Sequence, residues 1–226
     1  MEDPAGRSAP PRRLAVFDLD GTLTRADSFG PFVLGLLRRH PARLLRLPLL
    51  LFPALGYLLR FLGRGELKAA ILRQLFGGLP RAAVEAFAAT YSRLVVEQRM
   101  FDAGVTTLRS HIASGDHVVL LSASPDLYVP HIGALLGVHE THCTRIRWNG
   151  DRLDGHLEGL NRRDAEKLRV IEQLRAAHPG LPVIAYGNSS PDLVHMRQCE
   201  EAVYVNADPA LAQSLTAAGL RCVQWR

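Results

Sequence analysis

Cysteine is scarce. Only Cys143, Cys199 and Cys222 occur in 226 residues, far apart and with no Cys-x-x-Cys pair. That spacing excludes a disulfide framework and a cysteine-rich zinc module, and it fits a reducing compartment. Aromatic residues make up 7% of the chain. They do not interleave with basic residues as a base-stacking surface would require, so nucleic acid is not an expected partner. Neither a G-x-G-x-x-G run nor a Walker P-loop is present. Acidic residues are missing altogether from Ser28 to Gly65, a stretch that carries Arg38, Arg39, Arg43, Arg46, Arg60 and Arg64. The whole chain has a formal charge of +5, so this one segment accounts for the entire excess. A uniformly basic binder would spread its charge. The first 13 residues, MEDPAGRSAPPRR, contain no apolar run after a basic start. They read as a disordered lead-in rather than a secretory signal, which places the expected product in the cytoplasm.

What remains is ordinary globular composition, 47% hydrophobic and 22% charged. The length suits one domain, or one domain with a sizeable insertion, and buries a core without staples. Short apolar runs at Leu14–Phe17, Val118–Leu121, Val183–Tyr186 and Ala202–Val205 each end in a polar tip. Helix-like stretches lie at about 103–114, 126–136, 164–177, 190–198 and 208–218. Strand, polar tip and helix in repetition predict an α/β doubly wound parallel sheet, with ligands bound beyond the carboxyl ends of the strands. The alternation breaks once. The interval between the first two strands is too long for a crossover and is helical in character. Residues 14–24 and 103–226 are therefore expected to form the core, and residues 25–102 a helical cap inserted after the first strand.

Within that cap, residues 44–62 are rich in leucine and proline. The uncharged centre Leu47–Leu59 has 13 residues; as a helix it reaches roughly 20 Å, short of the roughly 30 Å hydrocarbon layer. Pro48 and Pro53 interrupt it as well. A full membrane span is thus disfavoured. Two readings remain, a buried hairpin of cap helices or an interfacial segment, apolar on one side and flanked by arginine. The missing acids favour the second, because solvated helix faces mix both signs.

The chemistry begins at Asp18-Leu-Asp20-Gly21-Thr22. In extended backbone, residues two apart point the same way. Two carboxylates so placed can share a hard divalent cation, and Gly21 permits a sharp exit from the strand. FDLDGTLT resembles the first motif of the haloacid-dehalogenase-like phosphohydrolases, and three further segments resemble the remaining motifs in order. They are LLSAS with Ser122, the helix-opening Lys167 in Asp164-Ala-Glu-Lys-Leu, and Gly187-Asn-Ser-Ser-Pro-Asp192. Residues 144–161 resemble the hairpin of the phosphoserine-phosphatase-type branch. The resemblance implies a Rossmann-like core and a Mg²⁺-dependent phosphatase. Asp18 is then the nucleophile that forms an aspartyl phosphate, and Asp20 the general acid and base. Ser122 and Lys167 bind the phosphoryl group, with Ala123 and Thr22 beside them. Asp18, Asp20, Asn188 and Asp192 are the implied metal ligands.

Asn188 departs from the family pattern, which has Asp there. The amide keeps a carbonyl oxygen but loses a charge, and Asp192 can compensate through a water. Either the enzyme works with weaker metal binding, or the site is impaired and the chain serves as a lipid-binding or regulatory protein. Asp27 either caps a helix or faces substrate. His139-Glu-Thr-His142-Cys143 lacks the second ligand pair of a zinc module and reads as loop at a strand entry. Trp148 and Trp225 read as packing residues. The segments Asp27-Ser-Phe-Gly-Pro-Phe, Leu36-Leu-Arg-Arg-His-Pro and Arg46-Leu-Pro-Leu-Leu resemble the phosphatidylglycerophosphatase C family. That likeness implies a phospholipid phosphate as substrate, with Arg38 and Arg39 attracting the anionic headgroup, and peripheral attachment to the anionic inner face of the plasma membrane. The alternative substrate is a soluble, phosphoserine-like metabolite.

Overall fold

The computed structural model describes residues 12–163 and 165–225. The expected lead-in thus lies mostly outside the described residues. Six parallel strands form one sheet in the order β3-β2-β1-β6-β7-β8. They are β1 Leu14–Phe17, β2 His117–Pro125, β3 Glu140–Thr144, β6 Val183–Gly187, β7 Glu201–Val205 and β8 Arg221–Val223. A separate antiparallel hairpin joins β4 Ile146–Asn149 to β5 Arg152–Leu157. β1 is buried throughout, because helices cover both faces of a parallel sheet. Leu14 and Val16 pack on one face with Val170, Ile171 and Leu174, while Ala15 and Phe17 join the larger core on the other. The period of two along the strand sorts these side chains. Chain order reverses between β1 and β6. The crevice of a doubly wound sheet opens at such a switch point.

Helices fill the interval between β1 and β2. In order they are α1 Phe29–Arg39, a 3₁₀ stretch Pro41–Leu50, α2 Leu51–Leu58, α3 Arg64–Ile71, a π turn Leu72–Phe76, α4 Arg81–Gln98 and α5 Asp102–Ala113. The later helices are α6 Val129–Leu136, α7 Ala165–Ala177, α8 Ser190–Met196 and α9 Pro209–Ala217. An aromatic cluster locks the insertion to the sheet. Phe32 lies 4.6 Å from Tyr128 and 5.3 Å from Phe87, and Tyr91 lies 5.5 Å from Tyr128, centroid to centroid. Each such pair adds about 0.5–1.5 kcal/mol beyond simple burial. The hairpin packs on α3 and the π turn. A Cβ at Gly155, whose φ is +88°, would meet the Arg73 backbone nitrogen at 2.6 Å, so only glycine allows that approach.

The doubly wound sheet agrees with the sequence pattern, but three local expectations need correction. Two edge strands, β3 and β8, have no apolar run to announce them, and the 139–143 segment read as loop is largely β3. The helix expected from 126 begins only at Val129, after a turn at Asp126–Tyr128. The apolar run does not form a buried hairpin. No side chain of the 3₁₀ stretch is buried, and in α2 only Pro53 is. Leu45, Phe52 and Phe61 are more than 80% exposed. No helix among the described residues is long and apolar enough to cross a membrane.

Candidate active site

Parallel register brings the tips of β1, β2 and β6 together at one edge of the sheet. Asp18 follows β1 and is buried. One of its carboxylate oxygens accepts from Lys167 Nζ at 2.5 Å, and the other from Thr22 Oγ1 at 3.0 Å. The Thr22 hydroxyl also lies 3.2 Å from Asn188 Oδ1, so its single hydrogen is shared between the two side chains. Gly21 makes this closeness possible. Its φ is +82°, and a Cβ there would sit 2.2 Å from the Asn188 amide nitrogen.

Lys167 stands in the first turn of α7 and is buried. Its ammonium bridges Asp18 and Asp192, the latter at 2.7 Å. Burial alone would lower its pKa, but the two carboxylates outweigh burial and raise it. Asp192 is the third residue of α8. Its second oxygen accepts from the Ser189 backbone N–H at 3.1 Å and from the Ser189 hydroxyl at 2.5 Å, closing a capping box. Burial works against ionisation there, yet Lys167 and Ser189 prevail and hold Asp192 below the usual carboxylate range. Asp18 fares differently. Burial, opposed by Lys167 and assisted by Asp192, lifts its carboxyl to about 7. One ammonium does not neutralise two buried acids.

Asp20 is gripped from both sides. Oδ1 accepts from the Ser28 backbone N–H at 2.8 Å, and Oδ2 from the Ser124 hydroxyl at 2.5 Å. Ser28 belongs to the insertion and Ser124 to β2, so the two parts of the chain meet on this carboxylate. Ser122 Oγ is buried and accepts from the Ser124 N–H at 3.1 Å.

A cavity of 490 Å³ opens over these groups, lined by Asp18, Asp20, Ala123, Lys167, Asn188 and Asp192 on the sheet side. Thr22 and Ser122 are buried and do not line it. Asp27 lines the cavity and accepts from the Gly30 N–H, in the first turn of α1, at 2.9 Å. The insertion contributes Phe29, Tyr57, Arg64 and Lys68, and the segment after the hairpin contributes Asn161 and Arg163. Lys68 was not foreseen. Its Nζ lies 3.4 Å from the Oγ of Ser124, which itself donates to Asp20, and 5.2 Å from the Phe29 ring centroid. A lysine in an ordinary helical turn carries no sequence signal of that role. Arg38 and Arg39 do not enter the cavity. They occupy the last turn of α1, where the Arg39 guanidinium lies over the Phe87 ring at 5.1 Å.

Asp18, Asp20, Asn188 and Asp192 present side-chain oxygens around one cavity, and in the buried trio two carboxylates share the one ammonium of Lys167. That donor set and charge fit a hard divalent cation such as Mg²⁺.

Comparison with known proteins agrees with this geometry. The family model described as haloacid dehalogenase-like hydrolase matches residues 15–197. Protein CicA of Caulobacter vibrioides is 34% identical over 192 residues, covering 84% of this chain and 85% of that protein. A protein of unknown function from Bordetella pertussis Tohama I superimposes with a TM-score of 0.78 at 24% identity, over 96% of this chain and 100% of that one. A phospho-aspartyl intermediate analogue of phosphoserine phosphatase does so with a TM-score of 0.63 at 16% identity, over 96% and 94%. These two structures share the fold.

Proposed function

Because the chain belongs to the haloacid dehalogenase-like hydrolases, we propose that it is a Mg²⁺-dependent phosphomonoesterase working through an aspartyl phosphate, and that its substrate is a phospholipid phosphate such as phosphatidylglycerophosphate. The observation that carries the reading is the environment of Asp18. It is a buried carboxylate at a strand tip, fixed by Lys167 and Thr22 and open to a cavity shared with a second acid.

In this mechanism an Asp18 oxygen attacks phosphorus, the ester P–O bond breaks, and Asp20 gives its proton to the departing alkoxide. Asp20 then takes a proton from the water that cleaves the acyl phosphate, regenerating Asp18. Its fixed bonds to Ser28 and Ser124 orient it for both transfers. Lys167 offsets charge on the nucleophile and on the transferring group, and the Ser122 hydroxyl and the Ala123 backbone receive phosphoryl oxygens. Asp18, Asp20 and Asn188 would hold Mg²⁺, with Asp192 reaching it through water. The ion supplies screening that lets an anionic nucleophile approach an anionic phosphate.

The lipid assignment is supported by the neighbouring surface. Residues 44–62 expose leucine and phenylalanine without one acidic residue; Tyr57 in that segment and Arg64 just beyond it line the cavity. A headgroup phosphate seated on Asp18 would thus leave its acyl chains on the apolar side. Basic residues near an anionic bilayer contribute about 1 kcal/mol each. Phosphate release from a panel of lipid and soluble phosphomonoesters with Mg²⁺, blanked with Asp18→Asn, tests both parts. Release confined to lipid substrates, with vesicle sedimentation that weakens in salt, is expected. Release from soluble esters alone refutes the lipid assignment, and a flat panel refutes the enzyme.

A further inference from the structure

A second cluster of chemistry-bearing side chains lies at the opposite edge of the sheet. His117 is the first residue of β2 and Glu140 the first of β3, whereas His178 immediately follows α7. At about 3.3 Å per residue, the start of β2 is about 17 Å from Ser122. His117 Nε2 lies 2.8 Å from one Glu140 oxygen, and His178 Nε2 lies 3.4 Å from that same oxygen. All three ligand atoms fall within 4.8 Å of one another. We propose that His117, Glu140 and His178 bind one divalent transition-metal ion, Zn²⁺ by chemistry, as a staple remote from the catalytic carboxylates.

The geometry favours an ion. Bonds of about 2.0 Å in a tetrahedron place neighbouring donors about 3.3 Å apart; the 2.8 and 3.4 Å separations lie near that value, and the two imidazole nitrogens, within 4.8 Å of each other, close on the ion when it binds. Two imidazoles directed at one carboxylate oxygen form a mixed nitrogen and oxygen set. Such a set suits Zn²⁺ or Co²⁺, whereas Mg²⁺ takes oxygens. All three residues are partly exposed, which leaves the fourth position to water.

Supporting contacts orient the ligands. His142 Nε2 lies 2.9 Å from the other Glu140 oxygen and fixes the carboxylate. His139 stacks on His117 at 4.8 Å, and its Nδ1 accepts from the Val118 N–H, so its proton sits on Nε2 and it is not a ligand. The site ties β2 to α7 at the ends remote from Ser122 and Lys167. It needs no assumption about the reaction at Asp18.

The test uses untagged, chelator-stripped full-length protein with Mg²⁺ in millimolar excess, titrated with Zn²⁺ by calorimetry and followed by thermal unfolding. One ion per chain with a dissociation constant of micromolar or below is expected. At 100 times that constant the unfolding midpoint rises by about 5–10 °C. Co²⁺ in place of Zn²⁺ gives intense visible bands of four-coordinate geometry. His117→Ala and Glu140→Gln each weaken binding at least 100-fold and abolish the metal-dependent shift. If either misfolds, His178→Gln, beyond the end of α7, makes the same comparison. The proposal is overturned by the absence of saturable binding, by binding that survives these changes, or by binding lost in Asp18→Asn instead.

Discussion

Replacing Asp18 by Asn should stabilise the metal-free protein at alkaline pH, although it removes the proposed nucleophile. The reason is the charge count around Lys167. Its ammonium lies 2.5 Å from Asp18 and 2.7 Å from Asp192, so the ionised trio carries one uncompensated negative charge in a buried site. The asparagine side chain is isosteric with the aspartate it replaces. Its carbonyl can still accept from Lys167, and its amide can donate to the Thr22 hydroxyl. The trio then becomes one lysine paired with Asp192. The sign follows from linkage. A carboxyl raised in the folded state contributes stability that is fully present below its unfolded pKa and is lost as pH rises through the folded value. For Asp18 that window runs from 3.8 to about 7, corresponding to about 4 kcal/mol. In a chain of this size, that energy moves the unfolding midpoint by about 10 °C. Urea and thermal unfolding in chelator, from pH 4 to pH 8, should therefore show Asp18→Asn gaining on the wild type as pH rises. The two should converge near pH 4. Added Mg²⁺ should stabilise the wild type at pH 8 and leave the variant nearly unchanged. A variant no more stable than the wild type at pH 8, or a gap independent of pH, would refute the charge argument.

Three further outcomes follow from the same contacts. Asn188→Asp adds a charged oxygen where the Thr22 hydroxyl already reaches, so the Mg²⁺ concentration for half-maximal phosphate release should fall about tenfold; an unchanged titration midpoint shows that residue 188 is not a ligand. Phe52→Ser with Phe61→Ser removes two rings that face solvent, so the unfolding midpoint should hold while vesicle sedimentation drops at least tenfold. Retained sedimentation would deny the exposed run a role in docking. Phe32→Ala empties the centre of the aromatic cluster and should cost about 3–5 kcal/mol by urea unfolding, and a loss below 1 kcal/mol would show that the insertion is held elsewhere.

Local spacing made part of this molecule legible. Leu14–Phe17 is apolar because helices cover both its faces, and Asp18 and Asp20, in the turn just past its end, both line the cavity. The approach of Asn188 to Asp18 depended on topology, since β6 lies beside β1 although 165 residues separate Asp18 from Val183. Other features had no local signature. β3 begins with Glu140-Thr-His, in which Glu140 and His142 pair with each other and none of the three is buried. β8 is too short to show periodicity. Clustered positive charge drew attention to Arg38 and Arg39, yet the pitch of α1 turns them away from the cavity, while Arg64 and Lys68 on α3 reach it. Arg43 and Arg46 donate to the carbonyls of Leu75 and Gly77, so part of the charge excess fastens the insertion to itself. Composition revealed that residues 44–62 lacked acids; only the packed structure revealed that their hydrophobic side chains face outward.

The double grip on Asp20 limits how the molecule can move. Any swing of the insertion that carries Ser28 away from the sheet strips one hydrogen bond from this acid and leaves it to rotate about Ser124. An insertion that opened at its root would thus lose one of the two contacts that fix the proposed acid. Yielding around Tyr57 and Arg64 instead would widen the cavity with both bonds to Asp20 kept.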